Sequence, residues 1–324
     1  MSFFLDDFVS TSVLDNLSLL EIKIQNVISK NTITNSVCST LIGGGKKIRP
    51  TVLFLIAELI SGNIDNNCLH AGISIEMIHC ASLLHDDVID DSNIRRGNHT
   101  AHSIWGNQKT ILSGDFLFAE SFIQMVQTKN HSALEVISRV SSILTQGELR
   151  QLDRKMDLSL TEADYYDIIY AKTAALFEAS AQIGSIFAGS RPSDCEMFAE
   201  FGKQIGFIFQ IVDDYLDYFG ESDQTKKNIG NDYIDGKLTL PIIYSMQNTK
   251  YTHQIRDIFG DRAQNKFTDL QNILTECDVS GYCKTVIQTH YNAAREIIER
   301  YESKYPKAKQ SLLWLLDFCI NRTF

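Results

Sequence analysis

The chain of 324 residues carries a formal net charge of −10, and 44% of its residues are hydrophobic. That acidic balance argues against a nucleic-acid surface, which needs a basic patch, but leaves phosphate substrates open because carboxylates bind them through metal ions. Only four prolines interrupt the chain (Pro50, Pro192, Pro241 and Pro306), so long helices can run almost unbroken.

The opening run, MSFFLDDFVS, has acidic residues where a secretory signal needs a basic flank. No stretch reaches the roughly 18–20 uncharged apolar residues of a spanning helix. A soluble, cytoplasmic protein is therefore expected, with surface contact to a membrane left open. The seven cysteines (Cys38, Cys68, Cys80, Cys195, Cys277, Cys283 and Cys319) form no C-x-x-C pair and read as reduced, packed thiols.

Taken in chain order, the first distinctive segment is Gly43-Gly44-Gly45-Lys46-Lys47-Ile48-Arg49-Pro50. It lacks the spacing of a nucleotide-binding P-loop. Lys46 and Arg49 can form an anion site, or the segment is a plain basic turn before a helix starting near Pro50. Next, Ile73, Met77, Ile78, Ala81 and Leu84 recur at helical spacing and predict a helix over 71–91. Its end carries Asp86-Asp87-Val88-Ile89-Asp90. At about 100° per residue, Asp86 and Asp90 fall within roughly 40° of each other, with Asp87 beside them. Three carboxylates on one arc repel each other, and a cation cluster supplies a reason for them: Mg²⁺ takes oxygen ligands and joins one or two carboxylates to phosphate oxygens. The alternative is a solvated acidic helix end. The neighbours Leu83, Leu84, Val88 and Ile89 are apolar, which suggests burial, and His79 and Ser82 continue the polar stripe backward. Arg95-Arg96-Gly97 follows, and guanidinium groups grip phosphate oxygens bidentately.

Further on, Lys172-Thr173 lies in the helical run YAKTAALFEA, where a lysine needs a partner or an exposed face. Phe198, Phe201, Ile205, Phe209 and Val212 then predict a second long helix, which leads into Asp213-Asp214-Tyr215-Leu216-Asp217. Gln210, Asp213, Asp214 and Asp217 share one face of it, flanked by Phe207, Phe209, Val212 and Leu216. One Asp-Asp-x-x-Asp pentapeptide is weak evidence; two on apolar helices form a constellation, because unpaired inward carboxylates are costly without cations. Lys227 and Lys237 follow in polar, Gly-containing loop sequence, where an ammonium can close over a diphosphate. Strand-like alternation is scarce and no hairpin signal is convincing. With no linker-like tract, the expectation is one all-α bundle over residues 1–324, of about ten or more helices. The last eighty or so residues carry no sharp motif.

The segments GGGKKIRP, HDDVIDDSNIRRG, YAKTAALFEAS, FIFQIVDDYLDY and KKNIGNDYIDGKLTLP together resemble the trans-type polyprenyl diphosphate synthases, in that family's order and over roughly residues 40–245. The resemblance implies a single-domain helical fold of the isoprenoid synthase type with a deep central pocket, commonly homodimeric. It implies that Asp86, Asp90, Asp213 and Asp217 ligate two or three Mg²⁺ ions, with Asp87 and Asp214 in support. Arg95, Lys172, Thr173, Gln210, Lys227 and Lys237 would hold the allylic diphosphate, and Lys46, Arg49, His79 and Arg96 isopentenyl diphosphate. The 220–236 segment would close to exclude water.

Bulky aromatics near Ala81 and Ser82 stop chain growth early in related enzymes, so these small residues resemble the long-chain members, with Phe122 and Met125 as deeper floor residues. An all-trans product around octaprenyl, used as a quinone side chain, is expected, with peripheral membrane contact for product release. The alternatives are a shorter-chain (farnesyl or geranylgeranyl) diphosphate synthase or a partner subunit of a heteromeric synthase. Class I terpene cyclases carry a different second motif with Asn, Ser and Glu, and this chain repeats the aspartates instead.

Overall fold

The computed structural model describes residues 8–42, 45–95, 97–220, 229–262 and 264–322. Helices account for nearly all of the regular structure: α1 (Thr11–Ile28), α2 (Thr32–Ile42), α3 (Ile48–Ser61), α4 (Asn66–Ile89), α5 (Ala101–Trp105), α6 (Asn107–Gln127), α7 (His131–Asp153), α8 (Glu162–Ile169), α9 (Ala175–Phe187) and α10 (Pro192–Phe219). After them come α11 (Asn231–Asp235), α12 (Leu240–Ser245), α13 (Thr252–Asp261), α14 (Phe267–Glu276), α15 (Val279–Arg300) and α16 (Pro306–Asn321). The fold is all-α. Among the described residues, no helix is long and apolar enough to cross a membrane.

Contacts divide the chain into two compact units. One comprises Met1–Ser141, Leu176–Gly202 and Ile297–Leu315, the other Ser142–Ala175, Lys203–Glu296 and Leu316–Phe324. In the first unit α3 buries Val52 to Ala57 without a break, as a helix surrounded by its neighbours must. Helix α4 packs chiefly against α6 and α3. It starts at Asp65, whose carboxylate accepts from the Cys68 N–H at 2.8 Å. The stripe Ile73, Met77, Ile78, Ala81 and Leu84 is fully buried, as its spacing predicts, but Ile89 at the far end is 44% exposed. The acidic end of α4 therefore rises out of the core rather than lying within it.

The segment 92–99, where the sequence shows no convincing hairpin signal, contains a minimal hairpin. Strands β1 (Ile94–Arg95) and β2 (Asn98–His99) pair antiparallel, with Ile94 opposite His99. Gly97 supplies the left-handed backbone of the turn at φ 77°, and the Thr100 N–H donates to the Asn93 carbonyl at 3.0 Å. Strands of two residues leave no alternation for a sequence pattern to show.

In the second unit, Thr161 and Asp164 form a reciprocal capping box that starts α8. The run expected as one helix from Tyr170 onward instead opens with a π-helical turn over Tyr170–Ala174, and the Ala175 N–H reaches back to the Tyr170 carbonyl. Two glycines flank this turn. A Cβ on Gly147 of α7 would lie 2.5 Å from the Ala171 Cβ, and one on Gly206 of α10 would lie 2.4 Å from the Ala174 Cα. Those contacts are possible only without side chains, so the glycines fix how closely α7 and α10 approach the turn. The cysteines are all free, and six of the seven are buried, Cys277 being the exception.

Candidate functional site

In the first unit the site is built on the end of α4. Asp86 and Asp90 are both half-buried, and Asp90 caps the helix. Asp87 turns inward, 1% exposed, and accepts from Arg95 Nε at 2.7 Å. Burial raises the Asp87 pKa, and the Arg95 guanidinium opposes that rise. Arg95, expected as a diphosphate ligand, is thus ion-paired to the motif it follows. The hairpin is tied to the same end: the Ser92 N–H donates to the Asp87 carbonyl, and His102 Nε2 lies 2.8 Å from the Ser92 carbonyl.

The basic turn divides into different roles. Lys46 is exposed, whereas Arg49 is buried with its guanidinium 4.5 Å from the Phe177 ring centroid. Lys47, which the sequence did not single out, is 3% exposed with φ 51°. Its ammonium lies 3.5 Å from Glu76 of α4 and 3.7 Å from Glu21 of α1. A buried lysine needs such partners, and here they tie the turn to the helix that carries His79 and the aspartates. His79 is half-buried, and its carbonyl accepts from Ser82 Oγ at 2.9 Å. The Arg96 and Lys227 assignments, and residues 221–228 of the expected closing segment, lie outside the described residues.

The second unit holds a cleft with about 580 Å³ of empty volume, lined by Lys172, Gln210, Asp214, Asp232, Lys237 and Tyr165 among others. Lys172 finds the partners its apolar run requires, Glu148 at 2.9 Å and Gln151 at 2.8 Å, both from α7. Thr173 donates to Gln210 Oε1 at 2.6 Å, Gln210 Nε2 donates to Asp214 Oδ1 at 2.7 Å, and Tyr165 donates to Asp214 Oδ2 at 2.7 Å. Sequence spacing placed Gln210 and Asp214 on one face, as an i, i+4 pair, but gave no sign of Tyr165, Glu148 or Gln151, which arrive from other helices. Lys237 is not a loose loop ammonium: its side chain is 15% exposed and lies 3.2 Å from Asp235.

Electrostatics mark the same place. Burial, reinforced by Asp213 and Asp217, pushes the Asp214 pKa up to about 7 against the pull of its two hydrogen bonds. Asp232 is raised well above the usual carboxylate range, first by burial and then by Asp217 and Asp214. Asp217 accepts backbone N–H bonds from Asn231 at 3.2 Å and Asp232 at 2.9 Å, and so caps α11. Asp213 is ion-paired to Arg322 at 3.2 Å.

The donors are all carboxylate oxygens, which suits a hard divalent cation such as Mg²⁺. Among the described residues, no three potential ligands are gathered closely enough to hold an ion by themselves. Mg²⁺ ordinarily completes its shell with water and substrate phosphates, so the residues present fit it.

The sequence pattern of the polyprenyl synthetase family matches residues 31–277. An octaprenyl diphosphate synthase of Escherichia coli is 41% identical over 206 residues, which cover 64% of each chain, so this chain spans a little under two thirds of that relative's length. One of Haemophilus influenzae is 35% identical over 286 residues, 87% of this chain and 86% of its own. A geranylgeranyl diphosphate synthase of Sulfolobus acidocaldarius is 30% identical over 291 residues, 86% of this chain and 87% of its own. Among solved structures, a polyprenyl synthase from Caulobacter crescentus complexed with calcium and isoprenyl diphosphate superposes with a TM-score of 0.90, at 31% identity and over 96% of both chains. With its helical fold and both aspartate motifs in place, the chain belongs to the polyprenyl synthetase family.

Proposed function

We propose that the protein is a magnesium-dependent prenyltransferase that condenses isopentenyl diphosphate with an allylic diphosphate. The observation that carries this reading is the cleft of the second unit, where Lys172 and Lys237 line the same space as Gln210 and Asp214. Such a mixture suits a diphosphate held partly by ammonium groups and partly through cations. Asp86 and Asp90 of one motif, and Asp213 and Asp217 of the other, are the cation ligands, for two or three ions in all. Bound there, Mg²⁺ neutralises charge developing on the leaving diphosphate.

The chain's own groups do the rest. Lys172, steadied by Glu148 and Gln151, and Lys237 hold the allylic diphosphate. Thr173 gives its proton to Gln210, so its own oxygen lone pairs are left to face positive charge on the allylic carbon. Lys46, Arg49 and His79 hold isopentenyl diphosphate, whose double bond attacks that carbon, and the departed diphosphate accepts the proton. Incubating the purified protein with labelled isopentenyl diphosphate, an allylic primer and Mg²⁺ tests the reading. Elongated products are expected, and no elongation by the protein alone would favour the partner-subunit alternative.

The product is an all-trans polyprenyl chain of around octaprenyl length, for a quinone side chain. The small residues below Asp86 support this. Ala81 is completely buried, while Ser82 is half-buried and keeps some open space. Ser82→Phe is therefore the sharper probe, since Ala81→Phe would overpack the core. Products of Ser82→Phe should shorten by several isoprene units on chromatography after dephosphorylation. An unchanged product length would remove this pocket from the account and leave the shorter-chain alternative standing.

The protein acts as a homodimer, in cytoplasm, with peripheral membrane contact for product release. Support comes from α6, where Leu112, Ala119, Ile123 and Val126 form one exposed stripe, Leu112 being 68% exposed. Leu112→Glu combined with Ile123→Glu should shift sedimentation toward the monomer without lowering the helical content.

A further inference from the structure

Arg322 follows α16 directly and reaches the helix of the second aspartate motif. Its Nη1 lies 3.2 Å from Asp213 Oδ1, and its Nη2 donates to the Phe209 carbonyl at 3.1 Å. The guanidinium carbon sits 3.8 Å from the Phe209 ring centroid. Phe209 and Asp213 are one turn apart on α10, so ring, carbonyl and carboxylate meet the guanidinium together. The Arg322 side chain is 13% exposed and Asp213 32%. Arg322 Nε is buried without a hydrogen-bond partner, so the fork engages the carboxylate through one nitrogen only. Phe209 is only half-buried, unlike Phe198, Phe201, Ile205 and Val212 of the same apolar stripe, and Arg322 covers it.

We infer that Arg322 is the resident counter-ion of Asp213 in the metal-free protein, and that a divalent cation binding at Asp213 must displace it. This rests on the reading of Asp213 as a cation ligand. The guanidinium and a divalent cation would occupy the same carboxylate oxygen, so the competition is built into the geometry. Without the arginine, Asp213 would lose the counter-ion that this structure gives it. With it, the cluster is held in place, and the first cation binds more weakly than to a bare carboxylate set. Arg322 is thus a positioning residue that sets the cation concentration at which the second motif loads.

The test is Mn²⁺ binding to the full chain without substrate, read from the paramagnetic resonance of free Mn²⁺. Arg322→Gln should bind Mn²⁺ about fivefold more tightly than the native protein, the size of a modest ion pair lost to the competitor. Arg322→Lys, which keeps the charge but loses the planar fork, should fall between them. In an Asp213→Asn background, Arg322→Gln should make no difference, and thermal melts of every variant establish that each is folded. Equal or weaker binding by Arg322→Gln would overturn the proposal and leave the cation site intact. If neither the native protein nor any variant binds Mn²⁺ without substrate, Arg322 has no cation to compete with and the proposal is overturned, while a cation carried in on substrate phosphates remains compatible with the motif.

Discussion

Asp86→Asn is expected to lower turnover by about 10²–10³-fold, the scale seen when one preorganised electrostatic contact to a developing charge is removed. Asparagine keeps the size of the side chain and one oxygen but loses the negative charge that holds a cation. Asp86 is half-buried on the helix arc it shares with Asp90, and it is not the residue that closes the Arg95 ion pair. Turnover should therefore collapse in a protein that is still folded, by circular dichroism, at the assay temperature. Initial rates of labelled isopentenyl diphosphate incorporation, over a range of Mg²⁺ concentrations, check this. Near-native rates at saturating Mg²⁺ would remove Asp86 from the cation site.

Gly206→Ala should damage both stability and activity. The new methyl would lie 2.4 Å from the Ala174 Cα and 2.8 Å from its Cβ, at the end of the π-helical turn. Backbone cannot yield as a flexible side-chain tip can, so overpacking of about 1–3 kcal/mol is expected, with a fall of about 2–4 °C in melting temperature for each kcal/mol. The same push moves Thr173, one residue away, off Gln210. Turnover should drop with stability, and the loss should persist at temperatures where the variant is fully folded. Gly260→Ala is the control: its Cβ meets nothing within 4 Å and its helix backbone suits alanine, so stability should hold or rise slightly. Equal melting curves for the two variants would mean that α10 has room to shift.

Much of the fold and the site was legible in the sequence because helical periodicity and motif spacing are local. The stripe from Ile73 to Leu84 told where α4 buries itself, and the spacing of Gln210 and Asp214 put them on one helical face, where they hydrogen-bond. What remained hidden is what depends on meeting partners remote in the chain. Lys47 looked no different from Lys46 until Glu76 and Glu21 closed on it. The half-buried lysine at 172 called for a partner or an exposed face, and only the fold selects Glu148 as its acid. Tyr165 and Arg322 carry no motif at all. The π-helical turn was invisible for another reason: one extra residue in a helix leaves composition and approximate periodicity unchanged. Ile89 misled because an apolar residue was taken as a sign of burial, although folded surfaces are full of apolar atoms.

Asp217 has a double employment. Each of its oxygens accepts a backbone N–H from the start of α11, so the carboxylate proposed to meet a cation is the one that caps this helix. The ordering of residues 231–235 and the occupancy of the aspartate cluster are therefore not independent events. Whatever factor the cation contributes to the population of the capped helix, the capped helix returns to the affinity for the cation, since the linkage is reciprocal. If Asp217 takes the proposed cation, Asp232 and Lys237, which line the cleft from this segment, inherit that coupling.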